Sequence, residues 1–432
     1  MSKICIDGYN IALPRGTGIA TYGKALLEAN KARGATCEIL FGPAATRSAS
    51  NLVNEAALVE PASAPARLKR LQRLRRDVDT ATSRFGRTAW PIKATHQVRW
   101  RDRADPPADQ FWSAPHLYNR ANRCFKHYNT LTPLLFEKSE KPPSVMHWTM
   151  PLPIWARNVP NIYTIHDLIP LTAPFTTLNN RAEYMTLHKK IIRHADQFAV
   201  ISQKTKEDLI SIFGVHEDRI TTTYQSVYIP DSVLDTKDSD VCEEIRSTFN
   251  LDWKSYFIHF GAIEPKKNLG RIVEAYLSTG SQSPLVVVGS RGWLDEDETA
   301  LINQIKRIGG ASAERIYLYE YMSRRMLLNL IRGAKATFFP SLYEGFGLPI
   351  LESMALGTPT LTSKDGATAE VAGEAALLVD PYDVDSIASG MRALDADTDL
   401  LTALSERGKA RAKVFNAQAY AERLDTLYAR VA

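Results

Sequence analysis

The sequence predicts an α/β fold built from two doubly wound domains with parallel sheets. The chain has 432 residues, more than one hydrophobic core usually supports, so two domains of about 200 residues each are expected. In both halves, short apolar segments alternate with longer amphipathic ones, which is typical of strands and helices in a parallel sheet. In the second half, a glycine-rich turn connects a predicted strand to a helix, where open α/β sheets bind their ligands.

The first domain is predicted to span residues 1–230. Its strands are predicted at five apolar segments, residues 4–6, 37–41, 145–147, 162–165 and 198–201. Helices are predicted from a glycine-rich turn at residues 16–18 through Ala29, over residues 181–194 and from Lys204 onward. A segment rich in Ala, Arg and Pro, residues 45–140, interrupts the alternation, and we interpret it as an insertion.

The second domain is predicted to span residues 231–413. Residues 228–244 carry Pro and charge without a sustained apolar pattern, which indicates an interdomain linker. Strands and helices then alternate, with strands at residues 256–260, 285–288, 316–318 and 336–339 and helices from Leu269, at 301–308 and at 323–332. The last segment, residues 414–432, contains a helical pattern with Tyr420, Leu424 and Leu427 on one face. We expect this helix to cross back onto the first domain.

The composition is that of an ordinary globular protein. Hydrophobic residues make up 44% and charged residues 23% of the chain, which argues against global disorder. Residues 1–7 lack the apolar core of a signal peptide, and no stretch approaches the roughly 20 apolar residues that span a bilayer. A cytoplasmic location is therefore expected. The four cysteines form no C-x-x-C pair, so neither a disulfide framework nor a zinc site is indicated.

Positive charge is concentrated in residues 67–103, which contain 12 Lys or Arg residues against three Asp residues. Leu68, Leu71, Leu74 and Val78 recur at helical spacing there, and Phe85, Trp90 and Trp100 follow. This pattern favours a surface helix that contacts anionic lipid headgroups on the inner face of the plasma membrane. A solvated helix, a lid or a partner surface is the alternative. Nucleic acid is not expected, because no recognition motif accompanies the charge.

Residues 340–352 place two carboxylates eight residues apart across a glycine-rich turn into a helix. Pro349 is suited to the first helical turn, so Gly345, Phe346, Gly347 and Leu348 would present backbone amides to an anion. Glu344 can accept hydrogen bonds from hexose hydroxyls, and Glu352 from a ribose. The site thus predicted is one for a sugar attached to a diphosphate. Alternatively, Glu344 is an ordinary loop residue and Glu352 a solvated first-turn glutamate.

Two other loops carry polar side chains at strand ends. Lys266 and Lys267 follow a predicted strand and open a helix, where their ammonium groups would stabilise a leaving diphosphate. A lysine pair in a loop is more often solvated. His166 and Asp167 end a predicted strand of the first domain, where they face the cleft or form a structural hydrogen-bonded turn. A lone Gly16-Thr17-Gly18 turn is weak evidence for a phosphate loop.

No metal site is predicted. Asp-x-Asp triplets occur, but none lies at a strand end, and N-capping explains those at helix starts better than metal ligation does. No Cys/His cluster indicates zinc, and no Gly-x-Ser-x-Gly string indicates a hydrolase.

The segment from Pro340 to Glu352 resembles the donor-site signature of family 4 retaining glycosyltransferases, which have the GT-B fold of two Rossmann-like domains facing a cleft. Residues 264–268, Glu-Pro-Lys-Lys-Asn, resemble the Glu-Pro-Arg-Lys-Asn element of that family, and residues 166–170 resemble its His-Asp-Leu-x-Pro element. Two departures occur. Ala262 stands where many members carry an arginine, and Tyr224-Gln225-Ser226-Val227 replaces an Asn-Gly pair.

The resemblance implies a role for each site residue. Lys267, with Lys266 and the amides of Gly345 to Leu348, would hold the diphosphate, which Gly16 and Gly18 would border. Glu344 and His166 would contact the donor sugar, and Glu352 the ribose. The base would lie near Tyr321 and Met322.

The implied reaction is metal-independent transfer of a sugar, with retention and without a cofactor. The motifs look most like those of bacterial mannosyltransferases of O-antigen and exopolysaccharide assembly, which implies GDP-mannose as donor and a glycan or lipid-linked acceptor. A UDP-sugar donor, and a GT-B protein that binds a nucleotide sugar without transferring it, are the alternatives.

Overall fold

The computed structural model describes residues 2–11, 18–44, 47–59, 70–95, 97–98, 100, 107–290, 292 and 295–431. The first domain contains ten strands and seven helices in the described residues. They are β1 (Lys3–Asp7), α1 (Gly18–Ala32), β2 (Thr36–Phe41), α2 (Asn51–Val59), α3 (Arg70–Thr82), β3 (Arg87–Lys93), β4 (Gln110–Ser113), α4 (Leu117–Tyr128), β5 (Thr132–Phe136), β6 (Val145–Trp148), β7 (Ile154–Ala156), β8 (Asn161–Ile165), α5 (Ile169–Thr172), α6 (Arg181–Ile191), β9 (Gln197–Val200), α7 (Gln203–Phe213) and β10 (Ile220–Thr222).

The ten strands form one sheet in the order β10-β9-β8-β6-β1-β2-β4-β3-β5-β7. The seven from β10 to β4 are parallel. Strand β3 pairs antiparallel with β4, and β5 and β7 run parallel to β3. Strands β1, β6, β8 and β9 are buried over all or nearly all of their length. Their sequences are mostly apolar, which is typical of parallel strands covered on both faces.

The segment predicted as an insertion extends this sheet. Residues 45–140 supply β3, β4 and β5, and β4 pairs directly with β2. The buried Trp112 on β4 donates from Nε1 to the Glu38 carboxylate on β2 at 2.7 Å. Three strands and three helices of the first domain therefore come from this segment, whose irregular composition concealed their pattern.

The second domain and the C-terminal helix contain six strands and eleven helices in the described residues. They are α8 (Asp231–Leu234), α9 (Asp238–Phe249), β11 (Phe257–Phe260), α10 (Leu269–Thr279), β12 (Leu285–Val288), α11 (Asp295–Ile308), α12 (Ala311–Glu314), β13 (Ile316–Tyr319), α13 (Arg324–Gly333), β14 (Ala336–Phe339), α14 (Leu348–Ala355), β15 (Thr360–Ser363), α15 (Gly366–Ala372), β16 (Leu377–Val379), α16 (Val384–Ala396), α17 (Thr398–Lys413) and α18 (Ala417–Ala429). All six strands are parallel, in the order β13-β12-β11-β14-β15-β16.

The interpretation of residues 228–244 as a linker is wrong for most of its length. Helices α8 and α9 begin at Asp231 and Asp238, and α9 packs on α13 of the second domain. Val241 and Ile245 are its buried residues, and Glu244 forms an ion pair with Arg325. Of the apolar face of α9, only Val241 lies within residues 228–244, because Ile245 and Phe249 come after that range, so the helical pattern there was too sparse to recognise.

The C-terminal helix α18 packs against α1 of the first domain. Asp425 pairs with Arg33 at 2.5 Å, and the Tyr428 hydroxyl lies 2.8 Å from Nδ1 of the buried His147 on β6. Tyr420, Leu424 and Leu427 are buried. The chain therefore ends on the domain with which it began.

The aromatic residues of the basic segment do not share one environment. Trp100 packs against Phe41 and Phe111 with ring centroids 5.6 Å away in each case, and Trp90 is half-buried against the same core. Phe85, in a 3-10 turn that follows α3, is 72% exposed. Both tryptophans therefore pack against the core of the first domain, and of these three aromatic residues only Phe85 is exposed. Leu68 and the side chains of Leu71 and Leu74 lie outside the described part.

Among the described helices, none is both long enough and apolar enough to cross a membrane.

Candidate active site

Three strand ends bring the predicted site residues together. His166 directly follows β8 of the first domain, residues 261–268 follow β11, and residues 340–347 follow β14. Strands β11 and β14 are parallel neighbours, so both of their following loops leave the same edge of the second sheet. These two loops are joined by a hydrogen bond from the Leu342 amide to the Lys266 carbonyl, at 2.8 Å.

The loop after β14 touches the first domain through Gly345. A Cβ atom added at Gly345 would lie 2.2 Å from the His166 carbonyl oxygen and 3.2 Å from Cβ of Asp167. No side chain fits that space, so glycine is required here by close backbone approach rather than by conformational freedom. Gly347 caps α14 with a φ of 123°, and Pro349 occupies its first turn. The loop therefore leads into a helix N-terminus, where backbone amides lack intrahelical partners.

The loop is also anchored by Phe346. Its buried ring packs with Tyr224 and Phe415, at centroid distances of 6.2 and 5.6 Å. Leu348 is half-buried and lines a small cavity with Tyr22 of α1. Phe346 and Leu348 thus contribute their backbone to the predicted anion site, while the Phe346 side chain fixes the loop against the domain junction.

Lys267 and Glu344 form an ion pair. The Lys267 Nζ lies 2.6 Å from Glu344 Oε1, and both side chains are largely shielded, with 13% and 11% exposed. The same ammonium lies 4.8 Å from the centre of the Phe339 ring. Because the pair is partly desolvated, its attraction is stronger than that of a surface ion pair. An anionic ligand here would compete with Glu344 for the ammonium.

Lys266 is surrounded by carboxylates. Its Nζ lies 3.4 Å from Glu264 Oε2. Burial lowers the pKa of Lys266, but the negative charges of Glu344, Glu264 and Asp167 outweigh that effect and leave the pKa raised. Lys266 is therefore firmly protonated at neutral pH. It is the second cation of this loop.

His166 is held in one tautomer. Its Nε2 donates to the Thr149 carbonyl at 2.8 Å, which leaves Nδ1 as the acceptor of the neutral ring. Burial lowers the pKa of His166, partly offset by the Thr149 hydrogen bond and by Asp167, so the ring is neutral at pH 7. Tyr22 packs edge-on against it at 4.9 Å. The Thr149 amide in turn donates to the buried Asp7 carboxylate at 2.5 Å, so the backbone of Thr149 connects Asp7 to His166.

Asp167 lies beside His166 and was predicted only as its neighbour. Burial raises the pKa of Asp167, opposed chiefly by the charge of Lys266 and by the hydrogen bond from the Ile169 amide. The carbonyl of Asp167 accepts from the Tyr184 hydroxyl at 2.9 Å. Asp167 thus brings a carboxylate of the first domain near the lysines of the second.

Glu352 is paired with a residue that the sequence analysis did not single out. Arg324 Nη2 lies 2.6 Å from Glu352 Oε1, and the carboxylate side chain is 12% exposed. Arg324 stands in the first turn of α13, after the N-cap Ser323. A cation in a first helical turn is disfavoured by the helix dipole. An arginine at this position of the sequence could therefore have indicated that a carboxylate lies nearby.

The remaining predicted site residues lie in different environments. Tyr321 is 88% exposed, and Met322 is half-buried against the core of the second domain. Gly18 begins α1, and a Cβ atom there would meet nothing within 4 Å. Gly16 lies outside the described residues. Within the described ranges, no group of three or more His, Cys, Asp or Glu residues could hold a metal ion.

The two domains are tied together by further polar contacts beside Glu344. The Tyr343 hydroxyl donates to the Asp208 carboxylate on α7, which also pairs with Lys204 at 2.7 Å. The Glu370 carboxylate on α15 accepts from the backbone amides of Gln203 and Lys204, at 2.7 and 3.2 Å. These contacts join the first two turns of α7 to the loop at residues 340–347 and to α15.

Two family models match the chain. The model described as Glycosyltransferase Family 4 matches residues 17–228, and the model described as Glycosyl transferases group 1 matches residues 242–411. The chain belongs to the family 4 glycosyltransferases. The motifs that carried the resemblance, at residues 166–170, 264–268 and 340–352, fall within these two matched regions.

Relatives of this family 4 chain include two proteins of Escherichia coli. The O-antigen chain mannosyltransferase B is 32% identical over 264 residues, which are 59% of this chain and 66% of that protein. The serotype-specific mannosyltransferase WbdA is 28% identical over 249 residues, which are 56% of this chain and 30% of that protein. The matches therefore span less than two thirds of the length of these relatives.

Solved structures similar to this family 4 chain confirm the GT-B fold. The sucrose-phosphate synthase of Thermosynechococcus elongatus has a TM-score of 0.65 at 18% identity, with 100% of this chain and 99% of that chain covered. HepE of Anabaena, in complex with UDP-glucose, has a TM-score of 0.64 at 15% identity, with 99% and 100% covered. The match extends over both domains.

Proposed function

We propose that the protein transfers mannose from GDP-mannose to an acceptor hydroxyl, with retention at the anomeric carbon and without a metal ion or cofactor. The observation that carries this proposal is the Lys267–Glu344 ion pair, which lies next to the contact of Gly345 with the His166 carbonyl where the two domains touch. Glu352 lies one helical turn beyond, on α14. The groups that we assign to the sugar (Glu344), to the diphosphate (the amides of Gly345 to Leu348) and to the ribose (Glu352) thus follow one another along a single loop and helix.

In the proposed reaction, the acceptor oxygen forms a bond to the anomeric carbon on the face that the diphosphate occupies. The bond from that carbon to the phosphate oxygen breaks, and its electron pair stays on the phosphate. The same phosphate oxygen takes the acceptor proton. Lys267, Lys266 and the amides of Gly345 to Leu348 stabilise the charge that develops on the leaving group. Since Ala262 replaces the family arginine, Lys266 carries a larger share of this charge stabilisation.

The donor sugar lies between the domains. The free Nδ1 of neutral His166 accepts a hydrogen bond from a sugar hydroxyl, because Nε2 is committed to Thr149. Glu344 accepts from other hydroxyls once a diphosphate has drawn Lys267 away from it. Glu352 exchanges its contact with Arg324 for the ribose hydroxyls, and the base lies toward the exposed Tyr321 and Met322.

The names of the relatives support mannose and a role in cell-surface polysaccharide synthesis, with a glycan or lipid-linked acceptor. The UDP-glucose complex of HepE supports a UDP-sugar as the second candidate donor. The nucleotide therefore has to be identified directly.

The test is thermal stability of the purified protein with GDP, UDP, ADP and their sugar conjugates, with and without magnesium. A ligand at 100 times its Kd adds about 2.7 kcal/mol to the free energy of unfolding. We expect stabilisation by GDP and GDP-mannose that does not need magnesium. Stabilisation by UDP compounds alone would mean that the donor is a UDP-sugar and not GDP-mannose. Stabilisation without any sugar transfer to an acceptor would favour a protein that only binds nucleotide sugars.

We also propose that this protein is cytoplasmic and associates peripherally with anionic membranes through residues 67–103. Exposed Phe85 beside Arg84, next to the basic helix α3, supports this contact. Deletion of the whole segment is unsuitable as a test, because it would remove β3 from between β4 and β5. Phe85→Ser is the better change, and Phe175→Ser, at another exposed phenylalanine, is its control. Equal pelleting of both variants with phosphatidylglycerol vesicles would contradict the proposal.

A further inference from the structure

A second pocket lies in the first domain and shares no residue with the candidate active site. It has a volume of about 270 Å³ and opens between the start of β5, strand β7 and the end of α6. Its charged and aromatic lining is Arg84, Trp155, Lys190, Arg193 and His194, and Thr130, Leu131 and Pro133 complete it. None of these described lining residues carries a carboxylate.

The cations of this pocket lack carboxylate partners among the described residues. In the described part of the chain, Arg84, Lys190 and Arg193 form no ion pair with an Asp or Glu side chain, whereas Arg76, Arg120 and Arg33 of the same domain do. A simpler role for residues 190–194 would be to cap the carbonyls at the end of α6. Arg219 already does so, because its Nη2 donates to the carbonyls of Ile192 and Ala195, at 2.9 and 2.6 Å.

Aromatic contacts fix the walls of the pocket. The His194 ring stacks on Trp155 with centroids 4.3 Å apart and an angle of 21°. The Arg84 guanidinium lies 4.7 Å from the Phe85 ring and 5.9 Å from the Tyr128 ring. A positioned guanidinium loses less entropy when it binds a ligand than a free one does.

The electrostatic field in the pocket is positive. Burial lowers the pKa of His194, and the charges of Arg193 and Lys190 lower it further. His194 is therefore neutral at pH 7, and the permanent cations repel one another across the cavity. A bound anion would relieve that repulsion.

We propose that this pocket binds a phosphate group. Three permanent cations exceed what one carboxylate would neutralise, whereas a phosphate monoester carries a charge of about −1.5 to −2 and offers three acceptor oxygens. Two guanidinium groups can each bind it through paired hydrogen bonds, and the Lys190 ammonium adds a point charge. The phosphate belongs either to a lipid headgroup or to a soluble phosphorylated compound. The pocket does not depend on the proposed transferase reaction.

The test is isothermal titration of the full-length protein with inorganic phosphate at constant ionic strength. The variant is Lys190→Gln with Arg193→Gln, and the control is Lys306→Gln with Arg307→Gln, which removes the same charge from the exposed face of α11. We expect phosphate affinity at the pocket to fall about tenfold or more in the variant, as for loss of charge-assisted hydrogen bonds, and to stay unchanged in the control. Equal affinity in parent, variant and control would overturn the proposal.

Two further arms complete the experiment. Phosphate also binds near Lys267 if the proposed transferase function holds, so titrations are repeated in Lys267→Ala, which leaves the pocket intact. If the double variant does not fold, Arg84→Gln, at an exposed side chain, is compared with Arg307→Gln. Weaker binding of the pocket variant than of the parent to vesicles that contain phosphatidic acid, a lipid with a phosphate monoester, would assign the phosphate to a lipid. Unchanged vesicle binding with lost phosphate binding would assign it to a soluble compound.

Discussion

At the scale of single residues, the candidate site is notable for its charge balance. Two lysines, Lys266 and Lys267, lie among the carboxylates of Glu264, Glu344 and Asp167. Two positive and three negative formal charges leave a net charge of −1 in this cluster, and the carboxylates raise the pKa of Lys266 in spite of its burial. A diphosphate adds negative charge to this cluster, and it must therefore displace Glu344 from Lys267 and use the amides at the start of α14.

Lys267→Ala tests the assigned cation. If Lys267 stabilises the leaving diphosphate, turnover should fall by about 10²-fold or more while the melting temperature changes little. Turnover is measured with the nucleotide sugar that the thermal shift experiment identifies. Lys306→Ala, a change at an exposed lysine of α11, is the control. Near-normal turnover in Lys267→Ala would remove this lysine from the site.

Gly345→Ala tests the contact between the domains. The added Cβ atom would lie 2.2 Å from the His166 carbonyl oxygen, so the loop at residues 340–347 and the first domain must move apart. We expect turnover to fall by about 10²-fold, since a displacement of about 1 Å in a catalytic site has effects of that size. Gly270→Ala is the control, because a Cβ atom there would meet its nearest atom at 3.7 Å. Equal turnover in both variants would show that catalysis does not need this contact.

At the scale of elements, helix α7 is capped from another domain. Its own N-cap Ser202 accepts from the Thr205 amide at 3.1 Å, while Glu370 of α15 accepts from the two preceding amides. A carboxylate at a helix N-terminus is favoured by the dipole and by charge-assisted hydrogen bonds. The helix is therefore complete only when the domains are together.

Glu370→Gln should weaken this cap without removing the side chain. We expect a loss of about 0.5–2 kcal/mol in the free energy of unfolding, as for other N-cap changes. The measurement is urea unfolding followed by circular dichroism. Glu374→Gln, at an exposed residue just after α15, is the control and should change stability by less than about 0.5 kcal/mol. A similar result for both variants would mean that solvent replaces the Glu370 contact at no cost.

At the scale of the whole molecule, buried histidines make stability dependent on pH. Burial lowers the pKa of His147 to about 3 and that of His188 and of His259 to about 4. Between these values and the unfolded pKa of about 6.5, the unfolded chain binds more protons, so stability falls as the pH is lowered. Asp7 acts in the opposite sense, because burial raises its pKa to about 6.

The expected outcome is a lower free energy of unfolding at pH 5 than at pH 7. Each of the three histidines contributes a loss of about 2 kcal/mol over that range, and Asp7 offsets about 1 kcal/mol. His188→Gln should reduce the loss by about 2 kcal/mol, since His188 lies in α6, away from the domain junction. Equal stability at both pH values would contradict the assigned burial effects.

The sequence determined most of the local structure. Apolar runs and their spacing predicted nine of the sixteen described strands, and the glycines and Pro349 predicted the turn into α14, because those signals lie within a few neighbouring residues. The same reasoning identified the motifs whose family the comparisons confirm. It was wrong about the linker at residues 228–244, because Ile245 and Phe249, which continue the apolar face of α9 from Val241, come after that range.

Only the tertiary structure decided which of these residues meet. Lys267 and Glu344 are 77 residues apart, and Arg324 and Glu352 are 28 apart. Contact between Gly345 and His166 joins different domains, and the place of β3 to β5 in the first sheet depends on pairing with β2. Such pairs depend on how whole elements pack, and packing is set by the summed burial of many side chains rather than by the pattern around any one residue.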